Sequence, residues 1–76
     1  MVDLVTYIVS QLVDDKSAVN VTTDNGDEVE TVTINVAEKD VGKVIGKQGK
    51  IAMAIRTLAK AVGMKQGKRY NIEIAD

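Results

Sequence analysis

Apolar residues recur at two different periods along this chain of 76 residues, and the change of period divides it into predicted elements. In Val2–Val13 they follow helical spacing and cover about half of a helical wheel, which predicts an amphipathic helix packed on a core. Apolar and polar residues then alternate in Ala18–Thr23 and in Glu28–Val36, which predicts two strands. The Asn25-Gly26 pair between them accepts positive φ in a hairpin turn, so we expect the strands to be antiparallel.

The second half of the chain returns to helical spacing and ends in alternation. A short helix is predicted at Asp40–Ile45 and a longer one at Lys50–Val62, which Gly63 can cap at its C-terminus. The predicted buried stripe of the longer helix is Ile51, Ile55, Leu58 and Val62. A last strand is predicted at Arg69–Ile74. The resulting order, α-β-β-α-α-β, predicts one two-layer α+β domain over residues 1–76, with a three-stranded sheet and helices on one face.

Composition narrows the chemistry. The 12 Val and 7 Ile, with no Phe or Trp, suit a sheet covered by helices that lie close to it. The absence of Cys and His removes disulfides, thiolate zinc sites and the usual general base. No acid and base are predicted to converge on a cleft, so we expect no enzyme, no cofactor and no metal. Calcium at the acidic turn is disfavoured, because an EF-type loop there would begin at Val21, which cannot act as a ligand.

Charge is distributed unevenly between the two halves. Residues 1–40 hold nine acidic and two basic residues, a net charge of −7, whereas residues 41–76 hold eight basic and two acidic residues, a net charge of +6. This asymmetry indicates either an anionic partner for the basic half or a solvated face. Near the N-terminus, Asp3 stands where a secretion signal would be basic, and no run is long enough for a membrane span. We therefore expect a soluble, cytoplasmic protein with no membrane partner.

The segment Gly46-Lys47-Gln48-Gly49 interrupts the helical pattern. Each glycine costs on the order of 1 kcal/mol relative to alanine in a helix, so two of them indicate a required turn or a close approach to the backbone. A Walker A loop beginning at Gly42 would need glycine where Lys47 stands, and the dinucleotide pattern G-x-G-x-x-G is absent. The remaining candidate is a G-x-x-G loop between two helices, which a KH domain uses to clamp about four nucleotides.

The residue types in this loop suit a sugar-phosphate chain. Glycines allow a close approach, the first amides of the following helix point outward, and Lys47 and Lys50 add positive charge. Gln48 can donate a hydrogen bond without adding charge. The predicted RNA-binding residues are Lys43, Val44, Ile45, Gly46, Lys47, Gln48, Gly49, Lys50 and Ile51. Among them, Lys43 is expected beside a phosphate, and Val44, Ile45 and Ile51 are expected to form an apolar floor for bases, with an edge from the strand at Val32–Val36.

The segment "VGKVIGKQGK" resembles the KH signature, and the element order resembles the type II KH fold. More narrowly, "LVTYIVSQLVDDKSAV", "VIGKQGKIAMAIRTL" and "GKRYNIEI" are similar to the stand-alone bacterial KH proteins of the KhpA family. This resemblance implies single-stranded RNA binding without catalysis and a post-transcriptional role, for example as an RNA chaperone. It also implies pairing with a larger KH protein of the KhpB type, and effects on cell shape through elongation and division.

Two alternatives use the same features differently. A helix-turn-helix that reads duplex DNA is disfavoured, because the second helix opens "KIAMAIRTL", where few side chains can read bases. A protein-interaction module, either a homodimer or a heterodimer with a KhpB-type protein, is compatible with RNA binding. Met53 supports it, since it lies on the polar side of its helix near Ala54, Thr57 and Ala61. Roles for Lys65, Lys68 and Arg69 stay open.

Overall fold

The computed structural model describes residues 1–75, so Asp76, the last residue of the predicted domain, lies outside the described residues. The helices and strands are α1 (Val2–Leu12), β1 (Asn20–Asn25), β2 (Val29–Asn35), α2 (Val41–Ile45), α3 (Lys50–Gln66) and β3 (Arg69–Ile74). Single 3-10 turns at Lys16–Ala18, Glu38–Asp40 and Lys47–Gly49 lie in the connections. The predicted α+β class and element order are confirmed.

The three strands form one mixed sheet in the order β1-β2-β3. Strand β2 is central. It pairs antiparallel with β1, with Val21 opposite Ile34, and parallel with β3, with Val32 opposite Ile72. A parallel pair needs a crossover connection, and α2, the loop Gly46–Gly49 and α3 together form it. The crossover therefore carries the predicted binding loop.

The core lies between the sheet and the helices. Its fully or nearly fully buried apolar residues are Val5, Val9, Val13, Val32, Ile34, Val44, Ala52, Ile55, Ala59 and Ile72. Small side chains on α3, together with the buried Gly63, bring this helix close to the sheet. The predicted stripe on α3 is thus wrong in part, because Leu58 is 40 % exposed while Ala52 and Ala59 are buried. The larger Ile51 and Leu58 of α3 line a cleft shared with Ile8 and Leu12 of α1.

Helix α3 continues one turn beyond its predicted end. Gly67, at φ 68° and ψ 29°, is the C-cap, and its left-handed backbone is the conformation that glycine adopts without strain. Gly63, the predicted cap, lies inside the helix instead. A Cβ there would stand 2.6 Å from the carbonyl oxygen of Lys68, so this glycine serves the close approach of the chain that leads into β3.

The hairpin between β1 and β2 also differs from its prediction. Asn25 belongs to β1 and faces Glu30, and Gly26 does not have the expected positive φ. Gly26 N–H donates to the carbonyl oxygen of Val29 at 3.0 Å, and a Cβ on Gly26 would lie 2.8 Å from the same oxygen. Glycine is required there because a side chain would not fit, and not because of its backbone angle. Within residues 1–75, no helix is long and apolar enough to cross a membrane.

Candidate nucleic-acid interface

The predicted binding loop, here called the GKQG loop (Gly46–Gly49), joins α2 to α3 through a single 3-10 turn. Gly46 has φ 78° and ψ 173°, Gly49 has φ 75° and ψ 12°, and Gly49 N–H donates to the carbonyl oxygen of Gly46 at 3.1 Å. Gln48 also has a left-handed backbone, with φ 58° and ψ 26°. Three of four consecutive residues thus have positive φ, which turns the chain sharply between the two helices.

At Gly46 a side chain is excluded by a neighbouring residue as well as by the backbone conformation. A Cβ at this position would lie 2.6 Å from Cγ1 of Ile51 and 2.9 Å from the backbone nitrogen of Ile51. The loop is therefore packed against the first turn of α3. Gly49 has open space around it and needs glycine only for its φ of 75°.

The side chains of Lys47, Gln48 and Lys50 are exposed around the start of α3. The first amide of α3, that of Lys50, donates to the carbonyl oxygen of Lys47. Gly49, the N-cap residue, has no side chain that could cap the amides of the first turn that follow. A helix of 17 residues also carries partial positive charge at this end. The structure thus brings two lysines, one amide side chain and a helix start without a side-chain cap to one place.

Lys43, the expected phosphate neighbour, is occupied by carboxylates. Its ammonium group contacts Asp14 Oδ2 directly and lies 3.4 Å from Asp40 Oδ1. The Asp14 carboxylate, and secondarily Asp40, raise the pKa of Lys43 above its usual value against the opposing effect of burial. Because its charge is already balanced within the fold, we leave Lys43 out of the proposed RNA contacts.

Asp40 is a candidate that the sequence did not single out. Its side chain is fully buried at 0 % exposure, and its Oδ2 accepts the backbone N–H of Asp15 at 3.0 Å. That hydrogen bond is the main influence that holds the pKa of Asp40 below its usual value; burial opposes it, while the Asp14 N–H and Lys43 add to it. An aspartate before a short helix indicates an N-cap, yet the side chain of this one forms no capping hydrogen bond and instead joins the start of α2 to the segment after α1.

The expected apolar floor is only partly present. Val44 is fully buried in the core, so its side chain cannot contact a base, whereas Ile45 and Ile51 are half-buried. The expected edge at Val32–Val36 is also wrong, because β2 lies between β1 and β3. Strand β3 provides the sheet edge that lies under α3.

A groove of 550 Å³ runs between α3 and this edge, and we call it the α3–β3 groove. It is lined by Val29, Arg56, Lys60, Met64, Lys68, Arg69, Tyr70, Asn71 and Ile72. Arg56 Nε donates to the carbonyl oxygen of Ile72 at 3.3 Å, which places this guanidinium over the free edge of the sheet. Arg56 and Lys60 are four residues apart and therefore share one side of the helix. This spacing is visible in the sequence, but the sequence does not show that β3 lies beside that side.

The opposite flank of α3 is apolar. The outer face of α3 (Lys50, Met53, Ala54, Thr57, Leu58 and Ala61) lines a shallow depression of 500 Å³, and Met53 is 62 % exposed. A neighbouring cleft of 260 Å³ separates α3 from Ile8 and Leu12 of α1. The position of Met53 agrees with its sequence prediction, since small residues surround it. One helix therefore has a cationic flank on the β3 side and an apolar flank away from the sheet.

Comparison with known proteins decides the family. The family model described as KhpA/KhpB, KH domain matches residues 2–74. The chain belongs to the KhpA/KhpB KH-domain family. This confirms the predicted KH fold and the resemblance found in the sequence. No solved structure matches the chain.

Several curated KhpA proteins resemble the chain over its whole length. The RNA-binding protein KhpA of Caldanaerobacter subterraneus subsp. tengcongensis is 49 % identical over 97 % of this chain and 99 % of the relative. The RNA-binding protein KhpA of Listeria monocytogenes is 45 % identical over the full length of both, and that of Aquifex aeolicus is 43 % identical over 97 % of this chain and 94 % of the relative. RNA binding is a non-enzymatic kind of function, which agrees with the prediction that the chain is not an enzyme.

Proposed function

We propose that this protein binds short single-stranded RNA through the GKQG loop. The observation that carries the proposal is the exposed Lys47, Gln48 and Lys50 around an uncapped helix start, on a backbone opened by two glycines with positive φ. The relatives named RNA-binding protein KhpA support it. The function needs no cofactor and no metal.

The loop would hold the RNA backbone by charge and by hydrogen bonds. Gly49 leaves open space where a side chain would otherwise stand, so a phosphate can approach the amides of the first turn of α3 that follow Lys50. Lys47 and Lys50 neutralise phosphate charge from either side, and Gln48 donates from its side-chain amide. These contacts recognise the backbone and leave the bases free to be read elsewhere.

The bases would lie on the β3 side of α3. A strand that leaves the loop along this flank meets Arg56 about 9 Å and Lys60 about 15 Å beyond Lys50, at the helical rise per residue. On the other side of α3, helix α1 carries Asp3 and is followed by Asp14, and these acidic residues repel phosphates. The half-buried Tyr70 supplies ring surface for stacking in the α3–β3 groove.

The first test is fluorescence anisotropy of labelled single-stranded RNA in a salt series. Replacing both Lys47 and Gln48 by Asp places negative charge where a phosphate would lie, so we expect binding to be lost while the far-UV circular dichroism spectrum stays unchanged. Wild-type binding should weaken as salt rises, because phosphate contacts release counterions.

The matched control uses a lysine and a glutamine outside the loop. Lys65 near the end of α3 and Gln11 on α1 are both exposed, so replacing both by Asp changes the net charge equally. We expect this control to retain most of the RNA affinity. If both variants lose affinity equally, the effect belongs to total charge, and the loop is not the clamp.

The proposed RNA binding also suggests a general cellular role. A protein that grips a few exposed nucleotides without chemistry suits post-transcriptional regulation or RNA chaperone activity in the cytoplasm. The family model spans KhpA and KhpB KH domains, which supports pairing with a KhpB-type protein. A link to cell shape rests on the sequence resemblance alone. A second KH unit would raise the effective concentration for the second RNA contact.

A second candidate function is protein interaction through the outer face of α3. The observation that favours it is the apolar depression around the exposed Met53, with Ala54 and Ala61 beside it. On a helix, Met53 and Ala61 lie at equal distances on either side of Thr57. An antiparallel second copy would therefore place each Met53 over its partner's small Ala61, which makes the face self-complementary.

A further inference from the structure

The orientation of the GKQG loop depends on a very short helix. Helix α2 has five residues, and a helix of this length is not stable on its own. Its middle is held by the fully buried Val44, and Gly46 N–H continues it by donating to the carbonyl oxygen of Gly42 at 2.9 Å. What holds its beginning is therefore decisive for where the loop points.

The beginning of α2 is held by Asp40. This buried carboxylate accepts the Asp15 N–H through Oδ2, while its Oδ1 faces the Lys43 ammonium at 3.4 Å. Lys43 in turn contacts Asp14. These contacts join the segment after α1, through the Asp15 N–H and the Asp14 carboxylate, to the first turn of α2. The Asp40 side chain at their centre has no exposed surface.

Charge alone would make Asp40 a poor neighbour for an RNA site. It precedes Gly46 by six residues, about 9 Å along a helix axis, which is within roughly one Debye length at physiological salt. A carboxylate at that distance repels an RNA phosphate. A role through charge and a role through position therefore predict opposite effects on RNA affinity when the charge is removed.

We propose that Asp40 is a positioning residue for the GKQG loop. Through the Asp15 N–H and the Lys43 ammonium it fixes the start of α2, and thereby the direction in which the loop presents its amides, Lys47 and Gln48 to a phosphate. The inference rests on the proposed RNA function for its effect on binding, but the positioning itself is measurable without RNA.

The decisive comparison is Asp40→Asn against Asp14→Asn, by RNA anisotropy at equal folded fraction. Both variants remove one negative charge near Lys43, but Asp14 is exposed and does not accept the Asp15 N–H. If Asp40 positions the loop, Asp40→Asn weakens RNA binding by about threefold or more. Asp14→Asn leaves the affinity unchanged or tighter. Equal tightening in both variants would overturn the proposal, because Asp40 would then act only as a repelling charge.

A second experiment, on the free protein, stays informative even if Asp40→Asn does not fold or the wild type binds no RNA. Lys43→Gln changes a half-exposed side chain, which leaves the core intact and removes the cation that faces Asp40. In the free protein we expect the amide chemical shifts and hydrogen-exchange rates of residues 46–51 to change in this variant. Unchanged shifts and rates would overturn the positioning role. A wild type that binds no RNA would instead sink the proposed function and leave this readout valid.

Discussion

Gln48 holds a backbone conformation that glycine normally occupies. In residues 1–75 it is the one non-glycine residue with positive φ, and it stands between two glycines that share this feature. A left-handed backbone costs a residue with a Cβ about 1–2 kcal/mol. The side chain is exposed, so burial within the fold does not offset this cost. We attribute its presence to the ligand that the loop is proposed to hold.

Gln48→Gly should therefore separate stability from binding. Relief of the backbone strain, less the entropy that glycine loses on folding, should stabilise the fold by about 0.5–1 kcal/mol. RNA affinity should fall, because the side-chain amide is gone and the loop is freer. Urea denaturation and RNA anisotropy measure the two effects. A fall in the urea midpoint would show that Gln48 is not strained.

At this scale the sequence predicted the loop better than its surroundings. The sharp turn and its exposed positive charge can be predicted from the glycines and lysines themselves. The burial of Val44 beside the half-buried Ile45 does not, because a helix of five residues is too short to show which apolar neighbour faces inward. The pairing of Lys43 with Asp14 joins residues 29 positions apart, and no local pattern displays it.

Helix α3 and strand β3 meet at Gly63, a buried glycine that the fold needs for space. The carbonyl oxygen of Lys68 would stand 2.6 Å from a Cβ there, and Cδ2 of Tyr70 would stand 3.1 Å away. The Lys68 N–H also donates to the carbonyl oxygen of Gly63 at 2.8 Å. This contact sets how close β3, and with it the wall of the α3–β3 groove, lies to the helix.

Gly63→Ala should destabilise the fold, whereas the same change at Gly42 should not. The added methyl at position 63 forces apart two backbone segments and should cost about 1–3 kcal/mol. Gly42 is helical, and no atom lies within 4 Å of the position that a Cβ would take there, so alanine should stabilise the fold by about 0.5–1 kcal/mol. Urea denaturation of both variants tests the pair. Shifts of the same sign would mean that contact with β3 does not explain Gly63.

Element type and order could be predicted from periodicity, but exact ends and neighbours could not. Gly63 and Gly67 both suit a helix end, and the choice between them depends on the approach of β3. Asn25-Gly26 indicates a hairpin, but its backbone angles depend on the pairing of Val29. Nothing in β2 reveals that it is the central strand, because 33 residues, from position 36 to position 68, separate it from its parallel partner.

The whole molecule divides its surface around α3. The helix start carries the GKQG loop, one flank carries Arg56 and Lys60, and the other presents the apolar outer face. The acidic half of the chain supplies α1 and the β1–β2 hairpin, and the acidic residues of that hairpin line a small pocket together with Lys68 and Arg69. The two proposed surfaces, for RNA and for a protein partner, thus lie mainly on different sides of α3 and meet at Lys50.

Sedimentation of the purified chain tests the apolar surface. We expect wild type to form dimers at high micromolar concentration and Met53→Glu to be monomeric, because the charge would be buried between copies. Met64→Glu is the matched control: Met64 is 74 % exposed but lies at the α3–β3 groove, so this variant should still dimerise. A wild type that stays monomeric at this concentration would exclude self-pairing and direct attention to a different protein partner.

The parallel pairing of β3 with β2 has a consequence for biosynthesis. One wall of the α3–β3 groove is formed by the last strand of the described fold, and the groove cannot exist before that strand has paired. Chains emerge from the ribosome at about 5–20 residues per second, N-terminal segments first. A nascent chain therefore exposes Lys47 and Arg56 before it has a groove to place bases in. With the groove as the proposed RNA site, tight capture of RNA, including the message under translation, would have to wait until Ile74 has left the ribosome.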